Sequence, residues 1–486
     1  MFTIKNVHNF TKKQLIRMVN NMLHKRHIAN HIEDDLFRSK LIEYNMQRSY
    51  GCDPTICHAP MRSLYFGFNG IVTACCFNRK YILGKFPENT IEEIIYDDKR
   101  KLLQQKLDRI DFSFGCDYCK DFIICCNYKS VGAYYADIIP AQIPKKRNIP
   151  TEMVFELDNS CNLKCEMCNA KFSSAHNDGK RIVAPYDSDE FIEQLKPFIP
   201  YLTTTKFMGG EPFMSEIYPR IWELIISLNP KCLIQAQSNG TILNDKIKSI
   251  LQHGNFQIEL SIDTLNPERY EKIRNGAKIE NTLKNLESFK QISEKNGNTL
   301  LISACPMKEN RFDIPELVAF CNLKNILINF NNVYTENFTL TELSEKELAE
   351  LIDYYNNHNP KGYNHISKHN HKAFSDLTKN VEYIKNHLEQ YEEIRHINEV
   401  ARYTDELIPC TKKEFIKIIL SIASRDKNID IKFEESLAEY IPENFLIKRK
   451  HYLYYKNEMT ILELKDFFRQ PFNAQIQYLK DFLLPL

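Results

Sequence analysis

Three cysteines lie close together at Cys161, Cys165 and Cys168, and thiolates at such spacing bind metals. The strand-like run 153–158 precedes them, so we expect all three on one tight loop. A zinc site takes four ligands, and so does a saturated iron–sulfur cube. Because no histidine or fourth cysteine stands beside the three, the pattern favours a cluster with one iron open to a chelating ligand. Zinc binding and simple burial of the cysteines are the alternatives.

A glycine-rich motif, Met-Gly-Gly-Glu-Pro at 208–212, follows the next strand-like run, 203–207. Two successive glycines allow the backbone to turn sharply and to approach a ligand closely. Both motifs follow strands, and in parallel barrels the ends of the strands carry the chemistry. We therefore expect the cysteine loop and the glycine-rich turn to form one site.

Together the C-x3-C-x2-C and Gly-Gly-Glu-Pro motifs resemble the signatures of the radical SAM superfamily. The resemblance implies that the three cysteines hold a [4Fe-4S] cluster whose open iron is chelated by S-adenosylmethionine. It implies that Gly209, Gly210 and Glu211 hold the amino group of that cofactor. In this family, reductive cleavage of the cofactor gives a 5′-deoxyadenosyl radical, so the difficult chemistry belongs to the cofactor. Met167 departs from the pattern, because most members carry an aromatic residue there.

Further positions match the family more loosely. The stretch 237–241 resembles the T-N-G-T turn of the family, and Ser261 with Asp263 matches its S-x-D. Arg274 falls where members with a SPASM module carry an arginine. By this resemblance, Ser261 and Arg274 would pair with the cofactor carboxylate, and Asn239 or Asp263 would bind ribose hydroxyls. The alternative role for such polar residues is to cap helices.

A second cysteine centre precedes the first, because eight of the fifteen cysteines fall within residues 52–126. We predict a hairpin over 63–74 with an Asn-Gly turn, a helix over 91–107, and then a C-x2-C knuckle. These elements would bring two pairs of thiolates together. Four thiolates hold zinc or a saturated iron–sulfur cube equally well. Since the chain shows no export signal, cysteines at this density indicate metal ligation rather than disulfides.

This layout resembles the auxiliary iron–sulfur modules called SPASM and twitch. The resemblance implies one auxiliary [4Fe-4S] cluster held by four cysteines: Cys57, Cys75, Cys116 and Cys119. Lys129 departs from the SPASM pattern, which has a further cysteine at that position. A zinc knuckle is one alternative. A second auxiliary cluster is another, and it would use the remaining cysteines of the region: Cys52, Cys76, Cys125 and Cys126. Such modules usually follow the barrel, whereas this one precedes it.

The 486 residues are enough for several domains. We predict an α/β fold with a partial (β/α)6 TIM-like barrel over 146–335, because six strand-like runs alternate there with helical patterns. Short apolar strands of this kind favour a parallel sheet buried on both faces. A small cysteine-rich α+β module at 46–145 precedes the barrel, after a helical segment at 1–45. The six runs are 153–158, 203–208, 232–238, 256–262, 299–305 and 326–332.

The C-terminal region, 336–486, has helical patterns and no cysteine cluster. Ser344 and Glu347 form a capping box at a helix start. A longer helix with a three-four apolar repeat begins near Phe374. It is expected to pack on the barrel, with a short coiled coil as the alternative. Three histidines are expected on a polar loop rather than at a metal: His365, His369 and His371.

Composition excludes some partners. The chain has 64 basic and 63 acidic residues, so its net charge of +1 gives no bulk attraction to nucleic acid or membrane. No apolar run approaches the ~18 residues that a membrane helix needs, and no apolar signal segment opens the sequence. We therefore expect a cytoplasmic protein.

The resemblance predicts an enzyme that abstracts hydrogen from an organic substrate. Peptide or protein modification is preferred, as in maturases, with dehydrogenation of a small molecule such as an amino sugar as the alternative. The implied cofactors are S-adenosylmethionine, its [4Fe-4S] cluster and one or two auxiliary clusters, and the implied partner is a flavodoxin- or ferredoxin-like electron donor. A non-catalytic iron–sulfur or zinc protein is the alternative from another class. The glycine-rich turn argues against it, because a scaffold needs no site for a cofactor amine.

Overall fold

A nine-stranded sheet organises the computed structural model, which describes residues 35–47, 55–124, 131, 149–182, 185–333, 337–388, 407–423, 444–448 and 483–485. The strands are β1 (Ser63–Phe66), β2 (Ile71–Thr73), β3 (Gly84–Lys85), β4 (Glu152–Phe155), β5 (Thr204–Phe207), β6 (Leu233–Ser238), β7 (Phe256–Ser261), β8 (Leu301–Ala304), β9 (Leu327–Phe330), β10 (Leu407–Thr411), β11 (Asn444–Lys448) and β12 (Leu483–Pro485). The large sheet has the order β3-β2-β1-β4-β5-β6-β7-β8-β9. A small antiparallel sheet contains β10, β11 and β12.

Strands β4 to β9 are parallel throughout, which confirms the predicted six-stranded α/β unit. On its other edge, β4 pairs in parallel with β1, from Ser63 opposite Glu152 to Phe66 opposite Phe155. Because β1 occupies that edge of β4, β9 cannot pair with β4 to close a ring. The barrel is therefore open, and the hairpin of the cysteine-rich module extends its sheet.

Helices flank the strands. They are α1 (Asp35–Gln47), α2 (Ala59–Arg62), α3 (Ile91–Tyr96), α4 (Asp98–Asp108), α5 (Asp117–Ile124), α6 (Asp189–Leu195), α7 (Ile217–Leu228), α8 (Asp245–His253), α9 (Pro267–Ile273), α10 (Ile279–Lys295), α11 (Ile314–Lys324), α12 (Glu345–Asn357), α13 (His365–Asn386) and α14 (Lys412–Ala423). The predicted helix over 91–107 is two helices, because Asp97 adopts an extended conformation and caps α4 through Lys99 N–H.

The helix-covered face of the sheet carries the core. Phe207 of β5 lies against Tyr218 and Trp222 of α7, with ring centroids 5.1 and 5.4 Å apart. Trp222 is fully buried and also contacts Phe256 of β7 at 5.6 Å. Burying each such side chain contributes roughly 1.5–3 kcal/mol relative to leaving it exposed. This apolar layer holds the strand ends, and therefore the site, in a fixed arrangement.

The prediction of burial on both faces holds for β4 and β8, whose residues are all buried, but it is wrong for β6 and β7, whose opposite face is only half-buried. In β6, Ile234, Ala236 and Ser238 are buried, whereas Leu233, Gln235 and Gln237 are partly exposed. Strand β7 alternates in the same way from Phe256 to Leu260. This alternation arises because helices cover one face and the open barrel leaves the inner face accessible.

The C-terminal region packs on the barrel. Helix α13 buries Phe374, Leu377, Val381 and Ile384 and lies beside β9, α11 and α12, in agreement with the predicted packing. The expected loop for His365, His369 and His371 is wrong, because α13 begins at His365 with Asn364 as its cap. The sheet β10–β12 adds strands to a region predicted as helical. Among the described helices, none combines the length and apolarity needed to span a membrane. Of the predicted helical segment at 1–45, residues 1–34 lie outside the described residues, and the rest belongs to α1.

Candidate cofactor and cluster sites

The cysteine loop leaves the end of β4 and is fixed by backbone hydrogen bonds to the far end of α9. The N–H of Lys164 donates to Asn275 O at 2.9 Å, and the N–H of Glu166 donates to Ile273 O at 3.0 Å. The N–H of Cys168 donates to Cys165 O at 3.0 Å, which closes a turn. Two independent anchors on one side thus set the direction of the loop.

The thiols of this loop share one environment. Cys165 is buried, and Cys161 and Cys168 are partly exposed. Burial, together with repulsion from the sulfurs of Cys165 and Cys161, raises the pKa of Cys168 to about 11. The pKa of Cys161 is raised in the same way, first by burial. Three thiolates held together therefore need a cationic group among them, and this donor set fits a cluster with one open iron.

The glycine-rich turn lies directly against this loop. Gly209 and Gly210 have φ angles of +85° and +52°, in the region that glycine tolerates best. A Cβ on Gly210 would lie 2.3 Å from Ser160 O, next to Cys161. The N–H of Glu211 donates to Ser160 O at 2.7 Å, and the N–H of Gly210 donates to Phe172 O at 3.1 Å. The structure thus brings the two motifs together, as expected.

The Glu211 carboxylate is buried and already accepts three hydrogen bonds. They come from Phe213 N–H at 3.1 Å, Ser238 Oγ at 2.8 Å and Asn239 N–H at 2.7 Å. Burial raises the pKa of Glu211 to about 7, and these donors oppose the shift. Glu211 therefore ties the glycine-rich turn to the end of β6. A hydrogen bond from a cofactor amine would therefore be a fourth bond to the Glu211 carboxylate.

Arg274 and Asp263 form a buried ion pair beside the cysteine loop. Arg274 Nε donates to Asp263 Oδ2 at 2.6 Å, and Arg274 Nη1 lies 3.8 Å from Cys165 Sγ. The other carboxylate oxygen of Asp263 accepts the N–H of Cys305 at 2.8 Å. Asp263 is fully buried and both of its carboxylate oxygens already accept a hydrogen bond, so the predicted contact with ribose would compete with these bonds. The sequence places both residues near the cofactor but does not reveal that they bind each other.

Asn239 and Ser261 lie at neighbouring strand ends. Asn239 Nδ2 donates to Asn162 Oδ1 at 2.9 Å, so Asn239 is joined to the cysteine loop. Its Oδ1 accepts both the hydroxyl and the N–H of Thr241. Ser261 ends β7 opposite Ser303 of β8 and is 8% exposed. The predicted residues at 209–211, Asn239 and Ser261 thus lie at the carboxyl ends of β5, β6 and β7, and Arg274, at the end of α9, reaches this edge through Asp263.

The auxiliary cysteines surround a separate cavity in the N-terminal module. Cys57, Cys75, Cys116 and Cys119 all line it, with apolar residues such as Leu103 completing the wall. Burial raises the pKa of Cys75 well above its usual range, and repulsion from the neighbouring cysteine sulfurs adds to the shift. Four thiolates in an apolar cavity need a cationic group to compensate their charge, so the donor set fits a cluster.

The cavity is supported by a buried arginine. Arg100 of α4 donates to Pro60 O at 2.8 Å and to Met61 O at 3.0 Å, immediately after the turn that carries Cys57. Burial lowers the pKa of Arg100 to about 10. Gly70, with φ of +79°, makes the predicted tight turn between β1 and β2, and β2 leads to Cys75. These elements bring the four thiols to the wall of one cavity.

Cys76 does not line the auxiliary cavity. Burial raises the pKa of the Cys76 thiol, and the charges of Lys206 of β5 and Arg79 oppose this shift. Cys52, Cys125, Cys126 and Lys129 lie outside the described residues. Across the described ranges, no group of three or more His, Cys, Asp or Glu side chains is arranged to hold a single metal ion.

A junction between the two centres was not predicted from the sequence. The hydroxyl of Tyr65 on β1 donates to Glu156, and Arg79 Nη2 lies 3.0 Å from the same carboxylate oxygen. Arg79 Nε also donates to Cys76 O at 2.9 Å. A Cβ on Gly209 would lie 2.8 Å from Glu156 Cγ. The junction Tyr65–Glu156–Arg79 thus joins the auxiliary module to the glycine-rich turn. The charge of Glu156 at the end of a strand was its only sequence signal.

The fold and these two thiol sites define a class, an open α/β barrel with a cysteine loop and a preceding auxiliary cysteine module. Residues 156–321 match the Radical SAM superfamily, and residues 57–121 match the SPASM iron–sulfur cluster-binding domain. The chain therefore contains a radical SAM domain and a SPASM domain, as its motifs predict, and these domains support an enzyme that acts by radical chemistry. The two domains imply a [4Fe-4S] cluster with S-adenosylmethionine and an auxiliary iron–sulfur cluster.

Several curated relatives share part of the chain. It is 25% identical over 167 residues to the probable GTP 3′,8-cyclase of Methanocaldococcus jannaschii, covering 34% of this chain and 53% of that protein. It is 34% identical over 128 residues to the probable GTP 3′,8-cyclase of Methanococcus maripaludis, covering 26% and 41%. The GTP 3′,8-cyclase of Aliarcobacter butzleri is 23% identical over 197 residues, covering 40% and 59%. The chain thus spans about half the length of these relatives.

Solved structures resemble part of the fold. The Streptococcus suis protein SuiB, bound to its precursor peptide SuiA, is 21% identical with a TM-score of 0.34, covering 43% of this chain and 46% of that chain. The protein anSMEcpe, with bound AdoMet and a Kp18Cys peptide, is 20% identical with a TM-score of 0.33, covering 42% and 58%. Scores at this level carry no substrate over to this chain.

Proposed function

We propose that this protein is a radical SAM enzyme that modifies a peptide or protein by abstracting hydrogen. The observation that carries the proposal is the joining of the cysteine loop and the glycine-rich turn through Ser160 O, which accepts the N–H of Glu211 at 2.7 Å. Cys161, Cys165 and Cys168 would hold the cluster. When bound there, S-adenosylmethionine supplies a 5′-deoxyadenosyl radical.

The chain's own residues orient the cofactor from fixed positions. The backbone of Gly210 approaches Ser160, just before Cys161, so closely that only a residue without a side chain fits there. Glu211 holds that turn against β6, and Arg274 places a guanidinium 3.8 Å from Cys165 Sγ. Arg274 would meet the cofactor carboxylate while keeping its bond to Asp263. Ser261 and Asn239 complete the same edge of the sheet.

The polar side chains on the inner face of the barrel favour a polar substrate. Its partly exposed side chains lie opposite the helix-covered core: Lys206, Gln235, Gln237, Gln257 and Glu259. Gln235 Nε2 donates to Gln257 Oε1 at 2.8 Å, so these amides form a connected surface of donors and acceptors. Peptide groups present matching donors and acceptors. This supports a peptide, although a hydroxylated small molecule such as an amino sugar presents related groups.

The auxiliary site would hold one cluster on Cys57, Cys75, Cys116 and Cys119. Its cavity lies on the side of β1 and β2, and the junction Tyr65–Glu156–Arg79 stands between it and the glycine-rich turn. This order supports an enzyme in which the substrate lies between the two centres. The proposed units are the module at 46–145, the barrel at 146–335 and the C-terminal region at 336–486.

The test is anaerobic reconstitution with iron and sulfide, followed by S-adenosylmethionine and dithionite, with 5′-deoxyadenosine as the readout. We expect cleavage in the unchanged protein and none in Cys165→Ala, because one lost thiolate should release the first cluster. Cys321→Ala is the matched control, since Cys321 lies on α11 and is buried in the hydrophobic core. No deoxyadenosine from the unchanged protein, or full cleavage by Cys165→Ala, would overturn the assignment.

The substrate class is tested by deuterium transfer. Reconstituted protein is incubated separately with a perdeuterated peptide mixture, deuterated amino sugars and deuterated GTP. We expect deuterium in 5′-deoxyadenosine from the peptide mixture. Transfer from amino sugars alone, or from GTP alone, would replace the peptide with that substrate. The GTP arm is included because proteins that share 128 and 197 residues with this chain are named GTP 3′,8-cyclase.

A further inference from the structure

One buried amide in the auxiliary module makes a hydrogen bond to a predicted cluster ligand. Asn78 is 2% exposed and lines the same cavity as the four cysteines. Its Nδ2 lies 3.3 Å from Cys116 Sγ and 2.8 Å from Phe114 O. Its Oδ1 accepts the N–H of Tyr81 at 3.0 Å. The amide therefore has a partner for its oxygen and for both of its N–H groups.

This network also fixes which way the amide points. The oxygen of Asn78 must face Tyr81, because an N–H donor there requires an acceptor. The nitrogen must then face Phe114 O and the sulfur of Cys116. The rings of Tyr81 and Phe114 stack 4.8 Å apart, which holds both partners of Asn78 in place. Gly115, with φ of +79°, allows the close approach, since a Cβ there would lie 2.4 Å from Asn78 Oδ1.

We propose that Asn78 is a dedicated hydrogen-bond donor to the sulfur of Cys116 and that it raises the reduction potential of the auxiliary centre. The proposal rests on the auxiliary cluster of the proposed function. Hydrogen bonds to the sulfurs are among the factors that set the potential of a cluster. The reduced cluster carries one more negative charge than the oxidised one, so a donor stabilises it more.

Two neighbours act in the same direction. The N–H of Ala59 lies 3.4 Å from Cys57 Sγ, so a second ligand sulfur receives a donor. Arg79, next to Asn78 in the chain, places a cation within electrostatic range of Cys75 and Cys76. Together they favour the reduced state, so this centre is suited to accept an electron. Asn78 is thus a positioning residue that acts through Cys116.

The test isolates the auxiliary centre by replacing all three cysteines of the other loop with Ala: Cys161, Cys165 and Cys168. Reconstituted protein is titrated anaerobically while the reduced cluster is followed by electron paramagnetic resonance. In Asn78→Leu we expect about a tenfold lower ratio of reduced to oxidised cluster at a fixed potential, which is a midpoint lower by about 59 mV for a one-electron couple. Asn89→Leu is the matched control. Asn89 is exposed, and its side-chain oxygen accepts a hydrogen bond from the N–H of Lys85. An unchanged midpoint in an iron-loaded Asn78→Leu would overturn the proposal.

A second measurement keeps Asn78 intact, in case Asn78→Leu fails to bind iron. The same background protein is labelled with asparagine carrying 15N in the side-chain amide, and pulsed resonance is recorded on the reduced cluster. We expect a 15N hyperfine coupling, because the Nδ2 of Asn78 lies 3.3 Å from a ligand sulfur. Its absence would overturn the proposal. Neither measurement uses S-adenosylmethionine or a substrate, so both are independent of the radical reaction. If the unchanged auxiliary site binds no iron, the auxiliary cluster does not exist and the proposed role of Asn78 is overturned.

Discussion

Gly210 shows how one residue determines whether the cofactor site can form. Its φ of +52° costs an L-residue roughly 1–2 kcal/mol. A Cβ would in addition lie 2.3 Å from Ser160 O and 2.7 Å from Asn159 C, and both are backbone atoms that cannot rotate away. The glycine is therefore required for two reasons. It tolerates the positive φ, and it leaves room for the close approach of the turn to the cysteine loop.

Gly210→Ala should weaken S-adenosylmethionine binding by tenfold or more, because the turn must move away from the loop. Equilibrium binding to the anaerobically reconstituted protein measures this. Gly297→Ala is the control, since Gly297 also has positive φ, +73°, yet no atom lies within 4 Å of the added Cβ. The control should lose stability by about 1 kcal/mol with cofactor affinity unchanged. Equal cofactor affinity in the two variants would contradict the steric argument.

Glu211 should make the stability of the apoprotein depend on pH. Its folded pKa of about 7 exceeds its ordinary value of 4.5, so between these limits the folded state binds the proton more tightly. Stability is then greatest below pH 4.5 and falls as pH rises towards 7, by about 3 kcal/mol in all. Glu211→Gln lacks this titration. We expect the melting temperature of the unchanged protein to fall relative to that of Glu211→Gln between pH 5 and 7.5. A constant difference across this range would show that Glu211 does not titrate there.

At the scale of elements, the cysteine loop depends on α9. Both anchors of the loop are carbonyls at or just beyond its end, Ile273 O and Asn275 O, and Arg274 stands between them. Arg274 is held by Asp263 at the end of β7. The ion pair therefore links a barrel strand, a helix end and the cysteine loop, so its loss should disturb the first cluster more than the auxiliary one.

Asp263→Ala should reduce iron in the first site while the auxiliary iron remains. Removing one partner of a buried pair leaves an uncompensated charge, which typically costs about 3–5 kcal/mol. The double change Asp263→Ala with Arg274→Ala should be milder than Asp263→Ala alone, as thermal unfolding and iron content would show. Lys101→Ala is the control, because the pair of Lys101 with Asp98 is exposed and should change little. A double variant less stable than Asp263→Ala would argue against this account.

The sequence allows the six barrel strands to be predicted, because each is a short apolar run followed by a helical pattern. The hairpin at Gly70 could be predicted for a local reason, its Asn-Gly turn. The pairing of β1 with β4 could not be predicted. It joins Ser63 to Glu152, which are far apart in the sequence, and no local pattern indicates such a contact. The Asp263–Arg274 pair was missed for a related reason. Each residue matches a family position, but only the fold shows that the buried arginine needs a counter-charge.

At the scale of the whole molecule, the two centres belong to one sheet. β1 and β2 carry the auxiliary side, and β4 leads to the cysteine loop. The parallel pairing of β1 with β4 fixes their relative position through backbone hydrogen bonds, and the junction Tyr65–Glu156–Arg79 adds side-chain bonds at the same seam. The auxiliary module therefore reaches the barrel through the first strand, although it precedes the barrel in sequence.

The total iron content depends on what the auxiliary cysteines hold. If one cluster lies on Cys57, Cys75, Cys116 and Cys119, the reconstituted protein should contain about eight irons, four at each site. About twelve irons would mean that the remaining cysteines of the region form a second auxiliary cluster. Four irons with one tightly bound zinc would make the module a structural knuckle. The cavity lined by the four predicted ligands, with Cys76 outside it, favours eight.

Cys116→Ala separates these cases by function. With a redox cluster, the variant should still cleave S-adenosylmethionine to 5′-deoxyadenosine but should not complete turnover of its substrate, because the auxiliary centre is lost while the cysteine loop is intact. With a zinc knuckle, it should instead lose folded protein, since structural zinc contributes folding energy directly. Cys232→Ala is the matched control, because Cys232 is buried beside Thr205 and away from both centres. We expect eight irons in the unchanged protein, four in Cys116→Ala, and deoxyadenosine without product in that variant.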